Sequence, residues 1–558
     1  MKTLPQPKPP RLSSPWSWAT GVLMLGSGLL MGTAPEPLNI WPLAWVAIAP
    51  LWFIRLQTVH SAPSTAKRWR RLAYPFLWGL GYHGLALAWI THLHPLTWMG
   101  IPWLGSIAIA LFAWAFITLL GTATVVIWFG LSGWLWRLQP CGRPNLALGY
   151  RLLTAIALWC ALETLLSWGP LAWTFIGYTQ SPTNLWILQW GRLSGQLTVT
   201  AILLLFNGLL AEVLQRQLLG QSRSGRQMLG TAMALWLVAH GIGWGLQQSA
   251  IADRPTEKLT LGMIQGNIPT SIKLTPAGER QAMERYTQGY ERLVAQGVDG
   301  VITPEAALPI LWQRQQQYTP LYQALRRRQI PLWLGTFAIA AKDIAPNGSS
   351  GNLDRSVNPA PALTQTLLSL DGSGTITGRY DKVKLVPLGE YIPFESVLGK
   401  VIQRLSSMGG SLAPGDGHQV FNTPLAQAIV GICYESPFGE LFRRQAAAGG
   451  ELIVTASNND PYPPAMMHQH HAQDVMRAIE TDRWAIRVTN TGLSGLVDAQ
   501  GRTRWLGEPN KYLTYAATLY RRHSQTPYVR WGDWLTPLLG AIASVTAIYC
   551  RIALTRSN

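Results

Sequence analysis

At 558 residues, 48% of them hydrophobic, the chain is long enough for more than one domain. A net charge of +18 raises nucleic acid as a partner, but the placement of the charges argues against it. Residues 247–533 hold 28 Lys/Arg against 24 Asp/Glu, a balance of +4, and the other +14 sits among apolar segments, mostly in their short connections, as in a membrane protein.

A membrane-spanning helix needs about 20 apolar residues. Eight stretches qualify: Trp16 to Ala34, Leu38 to Ile54, Leu72 to Leu93, Ile101 to Trp136, Leu152 to Trp168, Leu197 to Val213, Met228 to Leu246 and Trp534 to Cys550. The fourth is long enough for two crossings, so charge decides. Counted once, it gathers sixteen basic residues on one side, from Lys2, Lys8 and Arg11 through Arg55, Lys67, Arg137 and Arg216 to Arg551 and Arg556, and leaves only Arg192 on the other. The first stretch reads as a retained helix, because Pro35 directly after Met31-Gly-Thr-Ala34 makes a poor signal-peptide cleavage site. The expected organisation is a membrane domain of seven helices at residues 1–246, an extracytoplasmic domain at 247–533, and a last helix with a cytoplasmic tail at 534–558. Both termini are then cytoplasmic. Glu163 and His83 fall inside spans, where interhelical hydrogen bonds are the expected fate and a polar lipid passage or proton path is the alternative.

In the outer domain, apolar runs end repeatedly in polar, chemically usable residues. Leu259 to Ile264 leads to Gln265-Gly-Asn267, and Gly300 to Ile302 leads to Thr303-Pro-Glu305. Pro331 to Leu334 leads to Gly335-Thr336, and Ala428 to Ile432 leads to Cys433-Tyr-Glu435. Leu452 to Val454 precedes Ser457-Asn-Asn-Asp460, and Trp484 to Val488 precedes Asn490-Thr-Gly492. Gln281 to Gln296 and Met466 to Glu480 have helical spacing between them. The pattern is that of a layered α/β enzyme domain.

Of the four cysteines, Cys141 falls in a cytoplasmic loop, Cys160 and Cys550 in membrane segments, and Cys433 alone in the outer domain. A lone thiol directly after a buried strand is a candidate nucleophile, and a small core residue is the plain alternative. Such a thiol needs a base, and its tetrahedral intermediates need positive charge or N–H donors beside the oxyanion. Glu305 is the candidate base and Lys382 the candidate cation, each weak alone, with Lys384 as a rival.

The order Glu305, then Tyr380-x-Lys382-x-x-Leu-Val-Pro387 followed by Gly389-Glu-Tyr-x-Pro393, then Cys433-Tyr-Glu435, resembles the nitrilase superfamily. Gln265-Gly-Asn267, Ser457 to Asp460, Met476 to Glu480 and Thr489 to Gly492 extend the likeness, and with eight flanking helices the whole chain resembles the apolipoprotein N-acyltransferases. That resemblance implies an αββα sandwich joined to a multi-pass helical domain in the bacterial inner membrane, with the catalytic domain periplasmic. It implies a ping-pong reaction in which Cys433 takes an acyl chain from a membrane phospholipid as a thioester and passes it to the α-amine of an S-diacylglyceryl apolipoprotein. Glu305 would be the base, and Lys382 with the backbone N–H of Tyr434 would stabilise the oxyanions. Glu390 would orient Lys382, Glu435 would support the nucleophile turn, and Phe394 to Leu412 would form a lid. No cofactor is implied, and a monomer is expected.

Departures from the family pattern stand at Leu274, where Trp is common, at Leu388, where Phe is common, and at Asn459-Asp-Pro-Tyr-Pro463. All three are expected in lipid-contacting loops. Met467-His-Gln-His-His471 crowds three imidazoles, but no carboxylate completes a familiar zinc pattern, so a polar helix start is expected and no metal. A membrane-anchored amidase using the same triad, and a transporter or receptor without catalysis, are the competing functions.

Overall fold

The computed structural model describes residues 18–59, 65–138, 141, 143–312, 317, 319–341, 362–391, 411–460 and 462–555. Most of the expected lid, Phe394 to Leu412, lies outside the described residues.

Two six-stranded sheets form the α/β domain. The first has the order β12-β1-β2-β3-β4-β5, from β1 (Lys258–Gln265), β2 (Gly300–Ile302), β3 (Leu332–Ile339), β4 (Leu363–Leu370), β5 (Ile376–Asp381) and β12 (Leu513–Tyr520). The second has the order β11-β10-β9-β8-β7-β6, from β6 (Phe421–Asn422), β7 (Gln427–Ile432), β8 (Leu452–Ser457), β9 (Ala485–Thr489), β10 (Gly495–Val497) and β11 (Thr503–Leu506). Within them β1, β2 and β3 run parallel, as do β7, β8 and β9. Because β3 and β5 are both antiparallel to β4, β5 ends at the same edge as β3.

Strand alternation builds the layers. Leu452, Val454 and Ala456 of β8 meet Leu261, Met263 and Trp333 of the first sheet in the central core, while Ile453 faces the other way. Outside the first sheet, Ile264, Leu334 and Leu368 pack with Tyr286, Tyr290 and Leu293 of the helix Pro276–Ala295. Outside the second, Ile429 and Ile453 pack with Phe442 of Gly439–Ala447 and with Val475 and Ile479 of Pro464–Thr481. The result is the αββα sandwich. Its second helix layer shares one apolar core with Phe175, Tyr178, Leu188 and Leu204 of the N-terminal region, so sandwich and membrane helices are one packed body.

Five helices among the described residues are long and apolar enough to cross a membrane: Trp103–Leu138, Pro144–Trp168, Gln196–Leu218, Ser222–Gln248 and Leu535–Ile552. The Ile101 to Trp136 stretch is a single helix of 36 residues, about 54 Å long at 1.5 Å per residue, well beyond the hydrocarbon core. The count of eight is not reached on length and apolarity alone. Trp18–Gly32 is an apolar helix of 15 residues. Leu38 to Ile54 is broken into a 3-10 turn, Trp41–Trp45, and an 11-residue helix, Ala49–Val59. Pro42 and Pro50 start these two pieces, as fits a residue without an N–H to donate.

Glu163 and His83 both have protein partners. Glu163 accepts from Trp159 Nε1 at 3.0 Å, Ile176 N at 3.0 Å and Thr200 Oγ1 at 2.9 Å, and His83 Nδ1 lies 2.9 Å from Thr174 Oγ1. Glu163 is thus bonded between helices, through Thr200, whereas the partner of His83 lies in the non-helical segment 171–175. Cys141 and Cys550 form a disulfide across 409 residues of sequence, a pairing that the sequence reading did not anticipate; Cys160 and Cys433 are free and buried.

Candidate active site

The site is built at the edge where the parallel strands of both sheets end. Glu305 lies three residues beyond β2, Lys382 directly follows β5, and Cys433 directly follows β7. Cys433 has φ +50° in a 3-10 turn, Cys433–Glu435, a left-handed conformation that a residue with a β-carbon adopts at a cost. Three contacts hold it there. Glu435 accepts the N–H of Ile432 at 2.7 Å, His470 Nε2 donates to the carbonyl of Cys433 at 2.7 Å, and the Ser436 N–H donates to the same carbonyl at 3.3 Å.

Lys382 is fully buried and lies between two carboxylates. Its Nζ donates to Glu305 Oε1 at 2.8 Å and to Glu390 Oε1 at 2.6 Å. Burial opposes the ammonium, but Glu305 and Glu390 outweigh it and hold the lysine well above its usual range. Burial pushes the Glu390 carboxyl up, against the pull of Lys382. Glu390 is itself fixed by Gln365 Nε2 at 3.1 Å and Val386 N at 2.8 Å. Lys384, the rival, points elsewhere: its Nζ donates to Trp168 O at 3.2 Å and lies 4.8 Å from the centre of the Phe438 ring.

The second oxygen of Glu305 accepts the N–H of Asn458 at 2.8 Å, and the thiol of Cys433 donates to Asn458 O at 3.8 Å. One residue after β8 therefore touches both base and nucleophile candidates. Burial first, then the negative charge of Glu305, pushes the Cys433 thiol up to about 12, with Lys382 working against them. The resting thiol is protonated at neutral pH.

Glu435 does more than support the nucleophile turn. Besides Ile432 N, it accepts from Val383 N at 2.6 Å, Lys384 N at 3.0 Å and Tyr380 Oη at 3.1 Å. It is completely buried, and burial raises its carboxyl to about 7. Tyr434 turns away from the sandwich. Its hydroxyl donates to Pro170 O at 2.6 Å, and its ring stacks on Trp173 with centroids 6.0 Å apart.

Three further residues escaped the sequence reading. Lys273, at the end of Gln265-Gly-Asn-Ile-Pro-Thr-Ser-Ile-Lys273, is 4% exposed and donates to the backbone carbonyl of Glu305 at 3.1 Å. Burial lowers it to about 8 against the attraction of Glu305, Asp460 and Cys433. Gln469 uses its whole amide: Oε1 accepts from Trp89 at 3.0 Å and Trp173 at 2.7 Å, while Nε2 donates to Glu36 O at 2.8 Å and Ala86 O at 2.9 Å. His470 is the third.

The histidine cluster is not a polar helix start. The helix begins at Pro464, His470 and His471 are buried, and His471 Nε2 pairs with Thr503 Oγ1 at 2.9 Å. Of the three departures, Leu274 is 51% exposed and Leu388 adopts φ +66°. Asn459, by contrast, is buried against His470 and is no lipid-contacting residue. A cavity of about 460 Å³ between the membrane helices and the sandwich is lined by Trp168, Gln196, Lys384, Phe438 and Arg477 among others; it flanks the nucleophile turn without including Cys433.

Comparison with known proteins agrees with this architecture. Residues 27–209 match the apolipoprotein N-acyltransferase N-terminal domain, and residues 260–515 match the carbon-nitrogen hydrolase domain. The chain is 46% identical to an apolipoprotein N-acyltransferase of Nostoc sp., over 91% of this chain and 95% of that one. It is 41% identical to the Synechocystis sp. protein of the same description, over 93% and 98%, and 42% identical to that of Thermosynechococcus vestitus, over 97% of each. With both halves matched and relatives aligned along nearly their whole length, the chain belongs to the apolipoprotein N-acyltransferase family.

Proposed function

We propose that the protein transfers a fatty acyl chain from a membrane phospholipid to the α-amine of the N-terminal S-diacylglyceryl cysteine of apolipoproteins, through a thioester on Cys433. Glu305 takes the thiol proton, and the thiolate attacks an ester carbonyl. Lys382 Nζ and the Tyr434 N–H stabilise the oxyanion. As the intermediate collapses, Glu305 returns the proton to the departing lysophospholipid alkoxide. In the second half the α-amine attacks the thioester, Glu305 accepts its proton, and the thiolate leaves and recovers that proton from Glu305. Glu390 orients Lys382.

The observation that carries this reading is the buried Lys382 ammonium clamped by Glu305 and Glu390, since a cation fixed before the reaction stabilises developing charge without reorganising. Membrane attachment fits two lipid substrates, whose acyl chains need not then cross water. The sixteen-to-one distribution of basic residues supports eight crossings, both termini in the cytoplasm, and residues 247–533 on the periplasmic face of the inner membrane. We take the enzyme to act as a monomer.

The test is transfer from a labelled phospholipid to a diacylglyceryl-cysteine peptide. Wild type should give the N-acyl peptide and Cys433→Ala none; equal product from both would remove Cys433 from the reaction.

A further inference from the structure

His470 is fully buried on the helix Pro464–Thr481, 37 residues from Cys433, and takes no part in the chemistry above. A carbonyl oxygen only accepts, so the 2.7 Å contact between His470 Nε2 and Cys433 O requires the proton on Nε2. Nδ1 is then the acceptor for Asn459 Nδ2 at 3.1 Å, which fixes the tautomer. Burial first, then the charge of Arg487, holds the ring well below its usual range, so it stays neutral. The backbone is held too: Arg487 Nη2 donates to His470 O at 3.1 Å and to Ser436 Oγ at 3.0 Å, and Trp173 packs 5.7 Å from the imidazole.

The carbonyl of Cys433 and the N–H of Tyr434 belong to one planar trans peptide, so fixing the direction of one fixes the other, pointing the opposite way. We infer that His470 is a positioning residue for the oxyanion site: by holding the Cys433 carbonyl it aims the Tyr434 N–H at the position where the oxyanion forms. This rests on the acyl-transfer reading above. It also gives the N-terminal region a hand in catalysis, because Trp173 packs on both His470 and Tyr434.

The test uses full-length enzyme and two reactions of the same thiol. Thioester formation from phospholipid passes through an oxyanion; alkylation by iodoacetamide displaces iodide at a saturated carbon and does not. His470→Ala should form acyl-Cys433 at least about tenfold more slowly, short of or within the about 10²–10³-fold cost of losing an oxyanion donor outright, while alkylation stays within about twofold of wild type. His470→Gln, which keeps an N–H at the reach of Nε2, should recover most of the acylation. Acylation and alkylation falling by the same factor in both variants would overturn the inference, as would unchanged acylation in His470→Ala. If wild-type enzyme itself formed no acyl-Cys433, the acyl-transfer reading would fail first and take this inference with it.

Discussion

The carboxylate of Glu435 accepts the backbone N–H of Val383 at 2.6 Å, so the turn that presents Cys433 and the loop that carries Lys382 share one buried acceptor. Glu435→Gln keeps the shape but gives up one of the two acceptor oxygens to an NH2 group, which then faces N–H donors. A buried donor left without a partner costs about 1–3 kcal/mol. Transfer should fall about 10- to 100-fold with the protein still inserted in the membrane, as read from kcat in detergent-solubilised enzyme.

Lys382 and Lys384 are two residues apart, yet only the first lies between carboxylates. Lys382→Ala leaves Glu305 and Glu390 buried without their counter-charge, a change of the kind that costs about 3–5 kcal/mol. It should abolish detectable transfer and lower the detergent melting temperature. Lys384→Ala should cost less than about threefold in kcat/KM; equal losses would mean that the wrong lysine carries the charge.

Because burial and Glu305 raise the Cys433 thiol to about 12, the thiolate fraction keeps growing with pH beyond the range where an ordinary cysteine, at about 8.5, is already fully ionised. The rate of iodoacetamide alkylation at Cys433 should therefore rise about tenfold between pH 9.5 and 10.5, where an ordinary thiol is already more than about nine-tenths ionised. A plateau reached by about pH 10 would contradict the raised thiol.

Gln469 satisfies Trp89, Trp173, Glu36 and Ala86 at once. Gln469→Leu strands the indole N–H groups of buried Trp173 and half-buried Trp89, at up to about 1–3 kcal/mol each. The melting temperature in detergent should drop by several degrees, and Gln469→Glu, which keeps both indole partners but turns an oxygen toward the carbonyls of Glu36 and Ala86, should drop as well.

Glu305 and Cys433 were legible because each follows a short apolar run that folds as a buried parallel strand. Lys382 was not legible in that way: β5, Ile376–Asp381, is exposed at its start and mixed in pattern, and only the spacing around Tyr380 to Pro387 marked it. His470 and Gln469 stood in plain view in the histidine cluster, but their roles depend on partners far along the chain, such as Glu36, 433 residues from Gln469. Hydropathy alone also could not see that Pro42 and Pro50 divide the second apolar stretch, nor that Cys141 meets Cys550.

On the proposed mechanism Cys433 carries the acyl group between donor and acceptor, and peptide mass spectrometry of purified enzyme incubated with phospholipid and no acceptor tests this. An acyl mass should appear on the peptide containing Cys433, disappear when a diacylglyceryl-cysteine peptide is added, and reappear as its N-acyl product. A free thiol beside intact phospholipid, in enzyme that still makes the N-acyl product once both substrates are present, would contradict it.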